Sequence, residues 1–219
     1  MKKYLLAAAI CICFVPTFAQ TIHQITKSRI KLPNGWSLSP VGKSLSLGDL
    51  PLNIAVSPSK KLLAVTNNGQ STQSLQLIDV TKQVVLDSLD IQKSWLGIAF
   101  SKDEKKLYAS GGNDNWILEY SINQGKLKLQ DSIKLGDKWP NKISPAGLCI
   151  DYTTNTLYVV TKDNNSLYCI NLNTKKITGQ VALPAEAYTC ILSPNKKQLY
   201  ISIWGAETVV QVDTKRSEE

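Results

Sequence analysis

The segment LNIAVSPSKKLLAVTNN at 52–68 returns as LGIAFSKDEKKLYASGG at 96–112, and more loosely as AGLCIDYTTNTLYVVTKD at 146–163 and YTCILSPNKKQLYISIWG at 188–205. Repetition at this period means that the chain folds as a series of equivalent units, each burying its apolar faces against the next. Anchoring on Leu62-Leu63-Ala64-Val65, Leu107-Tyr108-Ala109-Ser110, Leu157-Tyr158-Val159-Val160 and Leu199-Tyr200-Ile201-Ser202 gives steps of 45, 50 and 42 residues. Each anchor is followed by a polar turn and a third apolar run, LQLIDV at 75–80, ILEYSI at 117–122, LYCINL at 167–172 and VVQVDT at 209–214. A fourth run follows in the first three units, VVLDSLDI at 84–91, LKLQDSIKL at 127–135 and ITGQVAL at 177–183. Short runs rich in Val, Ile, Leu and Tyr between Asn, Gly, Asp, Pro and Lys turns are antiparallel strands rather than helices. Four strands in about 45 residues is the size of a propeller blade. The expected fold is therefore all-β, a β-propeller of four-stranded blades with four repeats present and no helix.

Residues 1–20, MKKYLLAAAICICFVPTFAQ, carry a basic start, a short apolar run and a small-residue cleavage site, which is the pattern of a secretory signal. The apolar run is shorter than the roughly 20 residues that cross a bilayer, so no membrane span is expected after cleavage, and the expected location is the periplasm or the medium. The chain is read as a signal peptide at 1–19, an N-terminal extension at 20–43 and propeller from 44 to 219. Within the last part lie a closing strand at 44–47, blades at 52–91, 96–135 and 146–183, and a partial blade at 188–214. Loss of Lys2 and Lys3 takes the net charge from +8 to +6, with lysines spread through every repeat rather than gathered on one face, which argues against a nucleic-acid partner. Three of the five cysteines, Cys149, Cys169 and Cys190, remain after cleavage. All three fall within strand runs, where small buried side chains are the expectation, while an oxidising compartment leaves one bridge open.

SPSKKLLAVTNNGQSTQSLQLIDVTK at 57–82 and SPNKKQLYISIWGAETVVQVDTK at 193–215 resemble the unit SPDGKxLYVTNxxxxTVSVIDTxT of the YVTN-repeat, YncE-like group of bacterial secreted propellers. The middle repeats drift, with SKDEKK at 101–106 and DYTTNT at 151–156 in place of the proline turn. LPNGWSLSPVGKSLSLGDLPLNIAVSP at 32–58, followed by WLGIAFS and ASGGNDNWIL, is similar to the N-terminal propeller of large exported proteins that continue into an alkaline-phosphatase-type phosphoesterase domain. That resemblance implies a downstream phosphoesterase domain as partner in a full-length protein, and a seven-bladed ring. A strand at 44–47 that precedes its own blade either closes a four-bladed ring or belongs to a larger propeller of which these units are an arc; the arc is the favoured expectation.

His23 is the only histidine, which removes Ser-His-Asp and Cys-His nucleophile pairs and His-ligated metal sites from consideration. No catalytic residue, metal or cofactor is assigned. Aromatic and amide side chains accumulate instead in the loops between second and third strands and in the linkers between blades, which open on one face of a propeller. The candidate ligand-binding set is Trp95, Trp116, Trp139, Trp204, Asn67, Asn68, Gln70, Asn113, Asp114, Asn115, Asn164 and Glu207. Asn, Asp and Gly populate turns for backbone reasons, and tryptophans pack between blades, so a purely structural use competes with a ligand site at each position. The first functional reading is a non-catalytic binding or scaffold propeller for a glycan, peptide or small molecule. The alternatives are a lactonase-like hydrolase with Asp114 or Glu207 as base, and the propeller part of a larger phosphoesterase.

Overall fold

The computed structural model describes residues 29–39, 43–91, 95–137 and 140–215. The segment read as a signal, His23 and Trp139 lie outside them. The described residues before Leu45 belong to a unit of their own, in which β1 (Ile30–Lys31) pairs antiparallel with β2 (Ser37–Leu38) through a turn at Gly35.

From Leu45 onward the chain is a β-propeller of four blades. Blade 1 comprises β3 (Pro51–Val56), β4 (Leu62–Asn67), β5 (Ser74–Asp79) and β6 (Val84–Asp90). Blade 2 comprises β7 (Ile98–Phe100), β8 (Lys106–Ser110), β9 (Trp116–Asn123) and β10 (Lys126–Lys134). Blade 3 comprises β11 (Pro145–Asp151), β12 (Thr156–Thr161), β13 (Ser166–Asn171) and β14 (Lys176–Ala182). Blade 4 comprises β15 (Ala187–Leu192), β16 (Gln198–Ile203) and β17 (Thr208–Asp213). Every sheet is an antiparallel meander in chain order. Among the described residues there is no α-helix, only 3-10 turns at Gly112–Asp114 and Trp204–Ala206.

The turn between first and second strands shows why the repeat reads as it does. The hydroxyls of Ser57, Ser101 and Ser193 accept the backbone N–H of Leu62, Lys106 and Gln198 at 3.1, 3.0 and 3.0 Å, closing the hairpin by a side-chain bond. Blade 3 lacks that serine, and the Asp151 carboxylate accepts the Thr153 N–H instead. Lys60, Glu104, Asn155 and Lys196 take the left-handed conformation that completes each turn.

Strand pairing corrects the anchor chosen in blade 1 and agrees with the ungapped match of 52–68 to 96–112. Val56 faces Leu63, as Phe100 faces Leu107, Ile150 faces Leu157 and Leu192 faces Leu199. The structural equivalent of Leu107-Tyr108 is therefore Leu63-Ala64, not Leu62-Leu63. Two adjacent leucines hid a one-residue slip, and in a strand such a slip exchanges the two faces. The segment 44–47 forms no strand, and among the described residues nothing pairs with the outer edge of β17.

Three apolar layers join the blades. Leu75 and Leu77 of blade 1 meet Phe100, Leu107 and Tyr120 of blade 2. Tyr108 and Ile117 of blade 2 meet Leu157, Val159 and Ile170 of blade 3. Tyr158, Val160 and Leu167 of blade 3 meet Leu199, Ile201 and Ile203 of blade 4. Among the described residues no such layer joins blade 4 to blade 1. At the axis the first strands come close. A Cβ on Gly97 would lie 2.1 Å from the Ala146 carbonyl oxygen, and one on Gly147 would lie 2.5 Å from Thr189 Cα, so each inner strand leans on the next through a glycine. The matching residue of blade 1, Asn53, donates to the Leu96 carbonyl at 2.7 Å.

Candidate functional site

The loop face gathers the sequence candidates into three separate concavities. Asn68, Trp95 and Asn113 line one of about 350 Å³ between blades 1 and 2, together with Leu52, Gln73 and Gly112. The Lys162 ammonium, from blade 3, stands 5.1 Å from the centre of the Trp95 ring, within cation–π range. Asp114 and Trp116 line a larger groove of about 770 Å³ that runs along the outer strands of blades 1 and 2. Trp204 and Glu207 line a third, of about 520 Å³, with Tyr188, Ser202 and Thr208 of the same blade. Gln70 lies exposed and lines none of the three, and Trp139 is outside the described residues.

Three of the candidate amides spend their side chains inside the fold. Asn67 is fully buried and donates to Ser74 Oγ and to Gln76 Oε1, each at 3.1 Å. Asn164 bridges Thr161 Oγ1 and the Tyr168 hydroxyl at 2.5 and 2.7 Å. Asn115 is also buried; its carbonyl oxygen accepts the N–H groups of Ile143 and Ser144, and its amide donates to the Asp137 carbonyl at 2.6 Å. It thereby ties the linker that leads from blade 2 to blade 3.

The residue just before the third strand has a backbone reason for its type. Asn115, Asn165 and Glu207 stand immediately before β9, β13 and β17, all in the left-handed conformation, with φ of 58, 46 and 51°. Asn adopts this region more readily than other non-glycine residues, which accounts for it in blades 2 and 3. Glu207 has no such excuse, and it is exposed beside Trp204. The Tyr188 and Trp204 rings meet edge to face, 5.5 Å apart at 77°, so one wall of this concavity is a fixed aromatic pair. The 3-10 turn Trp204–Ala206 sets Trp204 and Glu207 on either side of one short loop.

Elsewhere the charges work for the scaffold. Glu119 is 1 % exposed between blades 2 and 3, and its two oxygens are met by Lys106 at 3.0 Å and Lys175 at 3.1 Å. Lys175 also reaches Asp131 at 2.5 Å, and although burial works against its charge, the bonds to Asp131 and Glu119 hold its pKa above the usual lysine value. The same Glu119 charge adds to burial in pushing up the Tyr108 hydroxyl beside it. Among the described residues no group of three or more His, Cys, Asp or Glu side chains is placed to hold a metal ion.

Residues 63–204 match the profile described as the SMP-30/Gluconolactonase/LRE-like region. The chain belongs to the SMP-30/gluconolactonase/LRE-like family. No curated protein matches it by sequence. Among solved structures, hydrazine synthase of Kuenenia stuttgartiensis superposes with a TM-score of 0.65 at 18 % identity, over 81 % of this chain and 51 % of its own. A protein of unknown function from Desulfotomaculum acetoxidans gives 0.62 at 14 %, over 84 % and 60 %. The periplasmic gluconolactonase PpgL of Pseudomonas aeruginosa gives 0.60 at 12 %, over 77 % and 51 %. At these identities the likeness is one of fold, and this SMP-30/gluconolactonase-type chain spans about half to three-fifths of the length of those relatives.

Proposed function

We propose that this chain supplies blades of an exported lactonase-type propeller that hydrolyses a small sugar-derived lactone, with its reacting site in the Tyr188–Trp204–Glu207 concavity. The observation that carries this reading is the meeting of a fixed aromatic pair and an exposed carboxylate, standing where blades 2 and 3 have Asn, in one concavity of about 520 Å³. Membership of a family whose description includes gluconolactonase supports it. An aromatic face packs the apolar side of a sugar ring, while Ser202 and Thr208 offer hydroxyls to its substituents. Glu207 then takes a proton from the water that attacks the ring carbonyl. The tetrahedral intermediate collapses with cleavage of the ring C–O bond, and the proton passes to the departing ring oxygen, leaving the open hydroxy acid. Asp114 is the second candidate base, from the groove beside blade 2.

The test is a panel of five- and six-membered aldonolactones followed by acid release in a pH-stat. Turnover that falls about 100-fold or more in Glu207→Gln, with Trp204→Ala acting chiefly on KM, supports the assignment. Loss in Asp114→Asn with Glu207→Gln unaffected moves the chemistry to the other groove. A flat panel overturns the hydrolase.

A binding or scaffold role is the second reading. The loop-face candidates stand two or three to a concavity, with Trp95 under Lys162 and neighbouring Asn68 and Asn113 suited to holding a polar ligand without turning it over. A glycan or peptide array on which Trp116→Ala/Trp204→Ala retains every signal removes the loop face from that role. The closer kinship to YVTN-repeat, YncE-like propellers, the export route and a downstream phosphoesterase partner belong to this proposal too. No helix among the described residues is long and apolar enough to cross a membrane.

A further inference from the structure

Cys149 of β11 and Cys190 of β15 come from the innermost strands of neighbouring blades, and their sulfur atoms lie 3.5 Å apart. Cys169 shares their apolar layer. Within blade 3, Cys149 faces Tyr158 and Tyr158 faces Cys169, so the three lie in one row across the sheet. Two strand spacings, roughly 9.5 Å, separate Cys149 from Cys169, which is beyond the reach of a disulfide. Across the blade interface the Cys149 and Cys190 sulfurs need to close by only about 1.5 Å to reach bonding distance.

Access is asymmetric. Cys149 lines a cavity of about 260 Å³ at the axis, to which the first strands of all four blades contribute, whereas Cys190 is buried and does not reach it. We propose that Cys149 and Cys190 are a redox-addressable pair that closes into a disulfide stapling blade 3 to blade 4 at the propeller axis. The oxidant is an external disulfide. The Cys149 thiolate attacks one of its sulfurs from the axial cavity, breaking the S–S bond, forming a mixed disulfide and releasing one thiol. Cys190 then attacks the Cys149 sulfur and the second thiol leaves. Two protein thiols are oxidised to one disulfide, the external disulfide is reduced to two thiols, and the two protein protons end on those leaving thiols. In the reduced pair the hydrogen bond to Cys149 and burial hold the Cys190 thiol well above its ordinary range, so the first attack falls to Cys149. This proposal stands apart from the lactonase reading, since it uses neither the loop face nor any residue placed in that chemistry.

The experiment treats the full chain with oxidised glutathione, blocks free thiols by alkylation and digests it with trypsin without reduction. Lysines place each of the three thiols on its own tryptic peptide: 143–162 carries Cys149, 163–175 carries Cys169 and 177–196 carries Cys190. The expected product is 143–162 joined to 177–196, about 2 Da lighter than the sum of the free peptides, formed equally in Cys169→Ser and absent in Cys149→Ser. The oxidised wild type should also melt about 5–10 °C above the reduced one, because the bridge closes a long loop, and Cys149→Ser/Cys190→Ser should show no such difference. Full alkylation of both cysteines after oxidation, or a bridge to Cys169, Cys11, Cys13 or a second molecule in place of the expected one, overturns the proposal.

Discussion

Tyr158 and Tyr200 hold the same place in successive blades, each opposite a residue of the innermost strand, yet the first is 4 % exposed and the second 36 %. The opposite side of the arc repeats the contrast. Ile98 of blade 2 is 5 % exposed, and its counterpart Ile54 in blade 1 is 55 %. Ile191, the partner of Tyr200 across β15 and β16, is 67 % exposed. The residue types are alike at inner and outer positions; what differs is whether another sheet stands in front of them. Apolar patterning along a strand therefore reports that a face is fit for burial, and the neighbouring unit decides whether burial is realised.

The sharpest way to probe this contrast is to strip charge compensation from an inner interface. Glu119 is tolerated between blades 2 and 3 only because both of those blades send it a lysine. Lys106→Met/Lys175→Met should therefore destabilise the protein by about 3–5 kcal/mol in urea titrations, as a buried charge left alone does. Glu119→Leu, which leaves two lysines able to turn to water, should cost far less. Next in size, Tyr158→Ala should cost about 3–4 kcal/mol, and Tyr200→Ala less than about 1 kcal/mol, by the same measurement. Equal losses would show that the outer face of blade 4 is covered in solution.

A smaller effect is expected at the axis. Gly147→Ala pushes a methyl into the backbone at Thr189 and should cost about 1–3 kcal/mol, whereas Thr189→Ala only trims an exposed side chain and should be nearly neutral. The smallest concerns pH. Burial works to raise the Asp87 carboxyl, but the Leu127 N–H and the Lys126 ammonium, both from blade 2, hold its pKa below the usual value. A lowered folded-state pKa gives a contribution present above the unfolded value of about 3.9 and lost as pH falls through the folded one. Asp87→Asn should thus cost about 1 kcal/mol at pH 7 and flatten the stability curve below about pH 4, where the wild type loses the same contribution.

The strands were legible because three of the four blades repeat turn chemistry as well as apolar runs. Ser57, Ser101 and Ser193 close their hairpins through the side chain, and their spacing to the following strand is what the eye catches. The anchor of blade 1 was ambiguous, since Leu62 and Leu63 both fit it, although the ungapped match of 52–68 to 96–112 already sets Leu63 against Leu107, as the pairing of Val56 does. At the loop face the residue types were equally ambiguous. Asn67, Asn115 and Asn164 look like ligand groups among polar loops, but Asn67 and Asn164 bond within their own blade and Asn115 bonds a linker more than twenty residues away. Glu207 was already a candidate base in the sequence; what the structure adds is its left-handed conformation in the place where blades 2 and 3 have Asn. The approach of Cys149 to Cys190 across two blades had no sequence signal at all, because it depends on how sheets stack.

Asn115 has a wider consequence. Blades 2 and 3 are joined by residues 135–144, against 183–186 between blades 3 and 4, yet each delivers an inner strand that a glycine of the preceding blade closely approaches. A single buried amide gathers the longer connection at both of its ends, so the extra residues are taken up locally instead of displacing the sheet that follows. Linker length and blade pitch are thereby uncoupled. A chain wired this way can lengthen, shorten or rewrite what it displays to the outside through small insertions, while the stack of sheets beneath keeps its spacing.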